Sequence, residues 1–448
     1  MGMLAYVKKN EEQNGQTNYV DNSIAIHSPS FLKTVSQVKQ EVIERIGYEE
    51  ASHIVANKNM DESRDELMPA IEAVLNISKA ANFSDTSRQE LATCVFDDIA
   101  GLGPIQSLLE NNRITEIMVN GYSSCFYEQD GIIHSLGRIF DSDEQIMVII
   151  DRIVSPLGRR VDERSPMVNA RLKNGFRVNA VIPPIALNGP ILTIRKFSSR
   201  INSLEEFVRL KSLPAWYAQM LSWAVYCREN IAVAGGTGSG KTTLLNALSC
   251  EISPSERIIT IEDSAELKFS SHPHVVRLEA RAASIEGEGE ITIRDLVINA
   301  LRMRPDRIIV GEVRGAECID MLQAMNTGHD GSLTTLHAGS AEEAIARIAL
   351  LARFGIDLPA DLIDEQIATA FDGIVMTLRT SQGKRYVSTY SEISRKKNGR
   401  IRLTPCVGFD DVTHTWSLFK EPHFITRAVQ QGLIKSKEVE QWRQTVAH

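Results

Sequence analysis

No uncharged apolar run in the 448 residues approaches the ~20 needed to cross a bilayer. The opening stretch MGMLAYVKKNEEQNGQTNYV has no apolar core between its charges, so a secretory leader is not expected. Gly2 has no Ser or Thr four residues on, and the myristoylation pattern is therefore missing as well. A cytoplasmic chain is the expectation. Cysteine is scarce and unpaired in sequence: positions 94, 125, 227, 250, 318 and 406 form no C-x-x-C, which argues against a disulfide framework or a structural zinc module. Aromatic residues are 6% of the chain, and 49 basic residues face 57 acidic ones, a net charge of −8. Nucleic-acid binding proteins usually carry a basic excess and stacking aromatics, so no nucleic-acid partner is expected. The one basic stretch, SRKKNGRIR near residue 400, reads as a solvated hairpin around Asn398-Gly399.

No internal repeat is visible, and the texture changes along the chain instead. Residues 1–30 are polar and aperiodic, a flexible tail. Residues 31–100 repeat apolar positions every three or four residues, the pattern of a small helical bundle. From GLGPI, over residues 101–198, short β-branched runs (EIMVNG, CFYEQDG, RVNAVI, ILTIRKF) surround one helical stretch, DEQIMVIIDRIVSPLG, giving an α+β unit. Residues 199–213 form a polar linker in which Ser203 and Glu206 have capping-box spacing. Over residues 214–448 strand and helix patterns alternate, which implies a mostly parallel sheet with helices on both faces. Two later runs, KRYVSTYSEI and RIRLTPCVGF, predict an antiparallel addition to it.

The chemistry concentrates in this last region. AVAGGTGSGKTT places Gly235, Gly236, Thr237, Gly238, Ser239, Gly240, Lys241, Thr242 and Thr243 between a strand and a helix, in the order of a P-loop. Glycines there let backbone N–H groups turn toward phosphate oxygens, and the helix N-terminus adds positive potential. Lys241 is positioned for the β- and γ-phosphates, and the Thr242 hydroxyl for Mg²⁺. The N-K-x-D tetrad that reads guanine is missing downstream, so ATP is the expected nucleotide. RIIVGEVRG ends an apolar strand at Glu312, a carboxylate that suits an attacking water or Mg²⁺ held through a water. TIEDSAEL supplies Glu262, Asp263 and Glu266 after another strand. Glu262 is the better catalytic or metal-shell candidate, and Asp263 also fits a helix cap. SLTTLH brings a lone histidine, His337, to a third strand end, where it faces the phosphates without joining the loop.

Four ordered stretches, GGTGSGKTT, IEDSAELKF, RMRPDRIIVGEVRG and AMNTGHDGSLTTLHAGS, resemble the Walker A, Asp box, Walker B and His box of the type II/type IV secretion ATPase superfamily. Upstream, GLGPI, ITEIMVNG, SPMVNARLKNGFRVNAVIPP and PILTIRKF are similar to the CpaF-type branch, the ATPases of tight-adherence (Flp) pilus assembly. The resemblance implies an α/β fold: a RecA-like P-loop NTPase core, preceded by an α+β PAS-like N-terminal domain and a helical bundle. It implies a homo-hexamer that holds Mg²⁺-ATP between its two main domains. Such a motor works with inner-membrane platform proteins and, indirectly, on pilin subunits. By the same resemblance Glu262 is the Asp-box carboxylate, Glu312 the Walker B glutamate and His337 the γ-phosphate sensor. Arginines from the N-terminal domain reach the γ-phosphate, with Arg195 the first choice and Arg177 the second.

Three other readings are open at this point. A type IV secretion or conjugation ATPase fits TTLHAGS about as well. A nucleic-acid translocase on the same core is disfavoured by charge and composition. A non-hydrolysing scaffold is disfavoured by the presence of Lys241, Glu262 and Glu312 together. Residues alone do not say which of the two glutamates takes the proton.

Overall fold

The computed structural model describes residues 28–77, 83–196, 203–269, 272–281, 283, 288–395 and 400–446. Most of the expected tail, part of the linker and the tip of the hairpin near residue 398 lie outside the described residues. The chain forms two compact units, Met1–Lys196 and Phe197–His448. Among the described residues no helix is long and apolar enough to cross a membrane.

The first unit opens with four helices, α1 (Pro29–Ile46), α2 (Tyr48–Asn57), α3 (Met60–Ile77) and α4 (Asp85–Ile99). Ser28 and Ser84 start α1 and α4 by accepting the N–H groups of Phe31 and Ser87, donors that a helix's first turn leaves without intrahelical partners. Val35, Val38 and Val42 of α1 repeat at helical spacing and meet Leu67 and Ile71 of α3 and Val95 of α4 in one core. After the short α5 (Gln106–Glu110) come β1 (Ile114–Asn120), β2 (Cys125–Gln129) and β3 (Ile132–Gly137). Helix α6 (Asp143–Val154) then precedes β4 (Met167–Arg171), β5 (Arg177–Val181) and β6 (Ile191–Arg195). The strands form an antiparallel sheet in the order β3-β2-β1-β6-β5-β4. Ile146, Ile149, Ile150 and Ile153 of α6 lie in the same core as the sheet's inward residues Ile117, Val119, Leu192 and Ile194.

Bundle and sheet are joined through polar groups. The buried Asp98 carboxylate accepts Lys39 Nζ at 2.7 Å and Gln145 Nε2 at 2.7 Å, so one side chain ties α1 and α4 to α6. At the other end of the sheet, buried Lys196 donates to the carbonyls of Leu108 (3.0 Å), Leu109 (2.7 Å) and Asn111 (2.7 Å). Those carbonyls close α5 and lack intrahelical partners, which is how the ammonium is satisfied away from water.

The second unit begins with α7 (Leu204–Arg209), capped by Ser203, and α8 (Ala215–Tyr226). Its elements continue as β7 (Ile231–Gly235), α9 (Lys241–Ser249), β8 (Ile258–Glu262), β9 (Val275–Glu279), α10 (Ile293–Ala300) and β10 (Arg307–Val310). Next come α11 (Glu317–Asn326), β11 (Leu333–His337), α12 (Ala341–Gly355), α13 (Ala360–Ala370) and β12 (Gly373–Arg379). The unit ends with β13 (Arg385–Arg395), β14 (Ile401–Asp410), β15 (Thr415–Leu418), α14 (His423–Gln430) and α15 (Ser436–Val446). One sheet runs β15-β14-β13-β12-β7-β11-β10-β8-β9. It is parallel from β12 to β9 and antiparallel from β12 to β15, so the expected antiparallel addition extends the same sheet. Every residue of β7 is buried, which accounts for its unbroken apolar run. Ile231 and Val233 join one core with α8, α9, α14 and α15, and Ala232 and Ala234 join the other with α11, α12 and α13.

The feet of the central strands are tied by Asn230. Its N–H donates to Asp372 Oδ2 (2.8 Å), its side-chain amide to the Ala370 carbonyl (2.8 Å), and its Oδ1 accepts the Ser332 N–H (2.8 Å). Beside it, buried Glu229 pairs with Arg427 of α14. Burial and the neighbouring Asp372 push the Glu229 carboxyl from an ordinary 4.5 up to about 8, against the pull of Arg427. The folded chain therefore keeps a proton that the unfolded chain releases, so this group's contribution to stability is present below the ordinary glutamate range and is lost as pH rises through the raised value. Glu229→Gln removes that titration. Between about pH 5 and pH 8 its melting temperature should fall less steeply than the parent's; parallel curves would assign the proton elsewhere.

Candidate nucleotide site

Strand β7 delivers the P-loop. The loop leaves the sheet at Gly235, turns through Gly238 (φ 68°) and Gly240 (φ 97°), and enters α9 at Lys241. Positive φ at both positions is cheap only for glycine. At Gly235 the constraint is space: a Cβ there would lie 2.3 Å from Thr377 Oγ1 and 2.5 Å from Ser239 Oγ. Those two hydroxyls are themselves hydrogen-bonded at 2.7 Å, and Ser239 also donates to the Gly236 carbonyl at 2.9 Å. The Lys241 ammonium donates to the carbonyls of Gly235 (3.1 Å) and Gly236 (2.9 Å). Thr237 is exposed at the tip, and Thr242 and Thr243 are half-buried in the first turn of α9. The loop's fit to phosphate rests on its N–H groups, its ammonium and the helix N-terminus. No group of three or more His, Cys, Asp or Glu among the described residues is arranged to hold a metal by itself.

The other strand ends line up beside the loop. In the parallel register His337, last residue of β11, is the Cα partner of Gly235. Its side chain is exposed while the preceding Leu333–Leu336 are buried. Next to β11, β10 ends at Val310, and Gly311 and Glu312 follow. Gly311 is fixed from both neighbours, donating to the Ile261 carbonyl (2.8 Å) and accepting Thr335 Oγ1 (2.7 Å). Glu312 is half-buried, with its Oε2 2.6 Å from Arg314 Nη2. Then comes β8, whose last residue is Glu262.

Glu262 is only 2% exposed. Its Oε1 accepts the N–H groups of Glu266 (2.7 Å) and Leu267 (3.0 Å), and its Oε2 is buried with no hydrogen-bond partner among the described residues. Burial raises its proton affinity above the ordinary glutamate value, with the two N–H groups and Arg277 pulling the other way. The helix that a cap at Asp263 would start is not formed, because the segment after β8 is held as a loop by the Glu262 carboxylate instead. Asp263 points to solvent and faces Arg314 at 3.8 Å.

Arg195 and Arg177 belong to the first unit, where they are cross-strand partners on β6 and β5. Arg195 is exposed and Arg177 half-buried. Their pairing puts two guanidinium-bearing residues at one level of the sheet.

Other residues at the loop escape sequence reasoning. Arg385 Nε donates to the Gly238 carbonyl at 2.8 Å, and Arg379 Nη1 lies 2.9 Å from where a Gly238 Cβ would be. With Thr377 they come from the β12–β13 hairpin, some 140 residues after the loop. Nothing local in LRTSQGKR marks them; only the parallel pairing of β12 with β7 brings them there. Arg314 is a further omission, although it sits two residues after Glu312.

Comparison with known proteins follows the same residues. A family model described as "Type II/IV secretion system protein" matches residues 98–402. A putative conjugal transfer protein of Mycobacterium tuberculosis is 37% identical over 312 residues, 68% of this chain and 88% of its own. The conjugal transfer protein TrbB of Rhizobium radiobacter is 33% identical over 282 residues, 62% of this chain and 83% of its own. The crystal structure of the VirB11 ATPase of the Brucella suis type IV secretion system is 30% identical, with a TM-score of 0.35, over 63% of this chain and 90% of that one. The family match takes in both candidate arginines, the P-loop and all three strand-end side chains, and the chain belongs to the type II/IV secretion system protein family.

Proposed function

We propose that the protein is a cytoplasmic, Mg²⁺-dependent ATP hydrolase that works as a homo-hexamer and drives pilin assembly through inner-membrane platform proteins. One observation carries the hydrolase reading: the P-loop, His337, Glu312 and Glu262 stand at or just past the ends of four consecutive strands, β7, β11, β10 and β8, at one edge of the sheet. Ligands of open α/β sheets bind beyond that edge. The loop from Gly235 to Thr243 holds the phosphates, with Lys241 turning from its own loop carbonyls to the β- and γ-phosphates. Thr242, and Glu262 at the end of β8, would hold a Mg²⁺ that arrives with the phosphates, and the ion would offset the charge that develops during transfer.

Glu312 is the proton acceptor in this reading. Water oxygen bonds to the γ-phosphorus as the bond to the β–γ bridging oxygen breaks, and the water proton passes to the carboxylate. ADP leaves with the bridging electron pair. Glu312 is favoured over Glu262 because it is partly open to water, whereas one Glu262 oxygen is committed to two N–H groups and the other is enclosed. His337 reports the γ-phosphate from the neighbouring strand. Arg195, with Arg177 second, adds a positive group to the transferring phosphoryl, an effect worth about 10³ to 10⁵ in rate.

The pilus branch is supported by the long helical region before the sheet and by the upstream resemblances. The conjugal transfer relatives favour a second reading, a type IV secretion or conjugation ATPase. A deletion strain separates the two through loss of surface fibres or loss of conjugal transfer.

His337→Ala should still bind ATP but turn it over about 100-fold more slowly, the scale of losing one preorganised donor; normal turnover would make the histidine structural. The assembly reading is tested by ATPase activity per subunit against protein concentration, with particle size measured at each point and Lys241→Ala as the blank. Activity should rise as hexamers form. Monomers that hydrolyse ATP equally well would sink the hexameric motor.

A further inference from the structure

We propose that Arg314 is a positioning residue for the hydrolytic carboxylate: it anchors one oxygen of Glu312 and leaves the other to meet water. The inference rests on the reading of Glu312 as the proton acceptor and adds a residue to it. Arg314 Nη2 lies 2.6 Å from Glu312 Oε2, a short charge-assisted contact. Among the described residues no partner is recorded for Glu312 Oε1. A carboxylate held by one oxygen has its plane and its second lone-pair direction set, as a catalytic base is oriented by a third group.

The turn that carries the guanidinium is itself held in place. The backbone N–H of Arg314 donates to Glu317 Oε1 at 2.6 Å, and that of Gly315 to the same oxygen at 2.8 Å. Glu317 is buried at the start of α11, so the turn carrying Arg314 is fixed by the helix behind it. Across the gap, Nη1 faces Asp263 Oδ2 at 3.8 Å on the loop after β8. Because β8 and β10 are hydrogen-bonded neighbours in parallel register, their outgoing loops sit side by side, and Arg314 spans them.

The charges around Glu312 make the cation matter. Glu262, Asp263 and Glu266 come from the loop after β8, Glu317 from α11, and His337 ends the strand on the other side. Arg314 is drawn electrostatically to Glu312 first, then to Asp263 and Glu266, and its own proton affinity is raised as a result. Deleting it leaves Glu312 among carboxylates with no adjoining guanidinium.

The test is kcat and KM for ATP in the full-length protein, for the parent, Arg314→Ala, Arg314→Lys and Glu312→Gln. Arg314→Ala should lower kcat about 10- to 100-fold, the scale of misplacing a reacting group. KM should change less than about threefold. Arg314→Lys keeps one donor and the charge, and should restore part of kcat. A large rise in KM would make Arg314 a phosphate ligand and overturn the inference. No rescue by lysine would make it merely structural, with the same result. Glu312→Gln isolates the underlying reading: it should bind ATP without hydrolysing it. If it hydrolyses normally, the assignment of Glu312 fails. If it is inactive and Arg314→Ala leaves kcat unchanged, only the role of Arg314 fails.

Discussion

Strand β7 is hydrogen-bonded on both sides, to β11 and β12, in parallel register. Its backbone polar groups are thereby satisfied within the sheet, and its four side chains can be apolar and buried. The same pairing fixes what stands beside the P-loop. Gly235 has His337 as its partner on one side and Thr377 on the other. The loop is gripped by Thr377 and Arg385 from one neighbour and faced by a histidine from the other. Chemistry at this edge follows from strand order, because the residues concerned are spread over more than 140 positions and meet only through pairing.

Sequence patterning reveals the interior of both sheets and loses their margins. The strands that lead to Gly235, Glu262, Glu312 and His337 are buried on both faces up to their last residues, so they are mostly apolar, with only the threonines of β8 and β11 and Arg307 of β10 interrupting. The strands missed by periodicity are β3, β4, β9 and β15, and each of them is an edge strand. An edge strand has one neighbour and a wet flank. Ile132 and Ile133 of β3 are exposed, and β9 has no fully buried residue. Little in such a segment has to be apolar, and the pattern fades where the sheet ends.

The candidate site divides in a similar way. Its glycines, Lys241 and the strand-end glutamates announce themselves because each is chemically unusual within a short window. The acidic run after β8 misleads, since Asp263 and Glu266 have the spacing of a helix start. Capping spacing does not distinguish a helix from a loop folded onto a buried carboxylate, and Glu262 selects the loop. Thr377, Arg379 and Arg385 have no local signature at all. Long-range pairing decides them, and pairing is what a linear pattern encodes least.

Lys196 is the last residue of the first compact unit, and its ammonium is bound to three carbonyls at the end of α5. Its backbone N–H also donates to Thr115 of β1, at 2.8 Å. A pull arriving along the chain from residue 197 therefore meets a riveted point and is shared at once between a helix end and two strands. The same ammonium also lies over the Phe176 ring, 5.4 Å from its centroid.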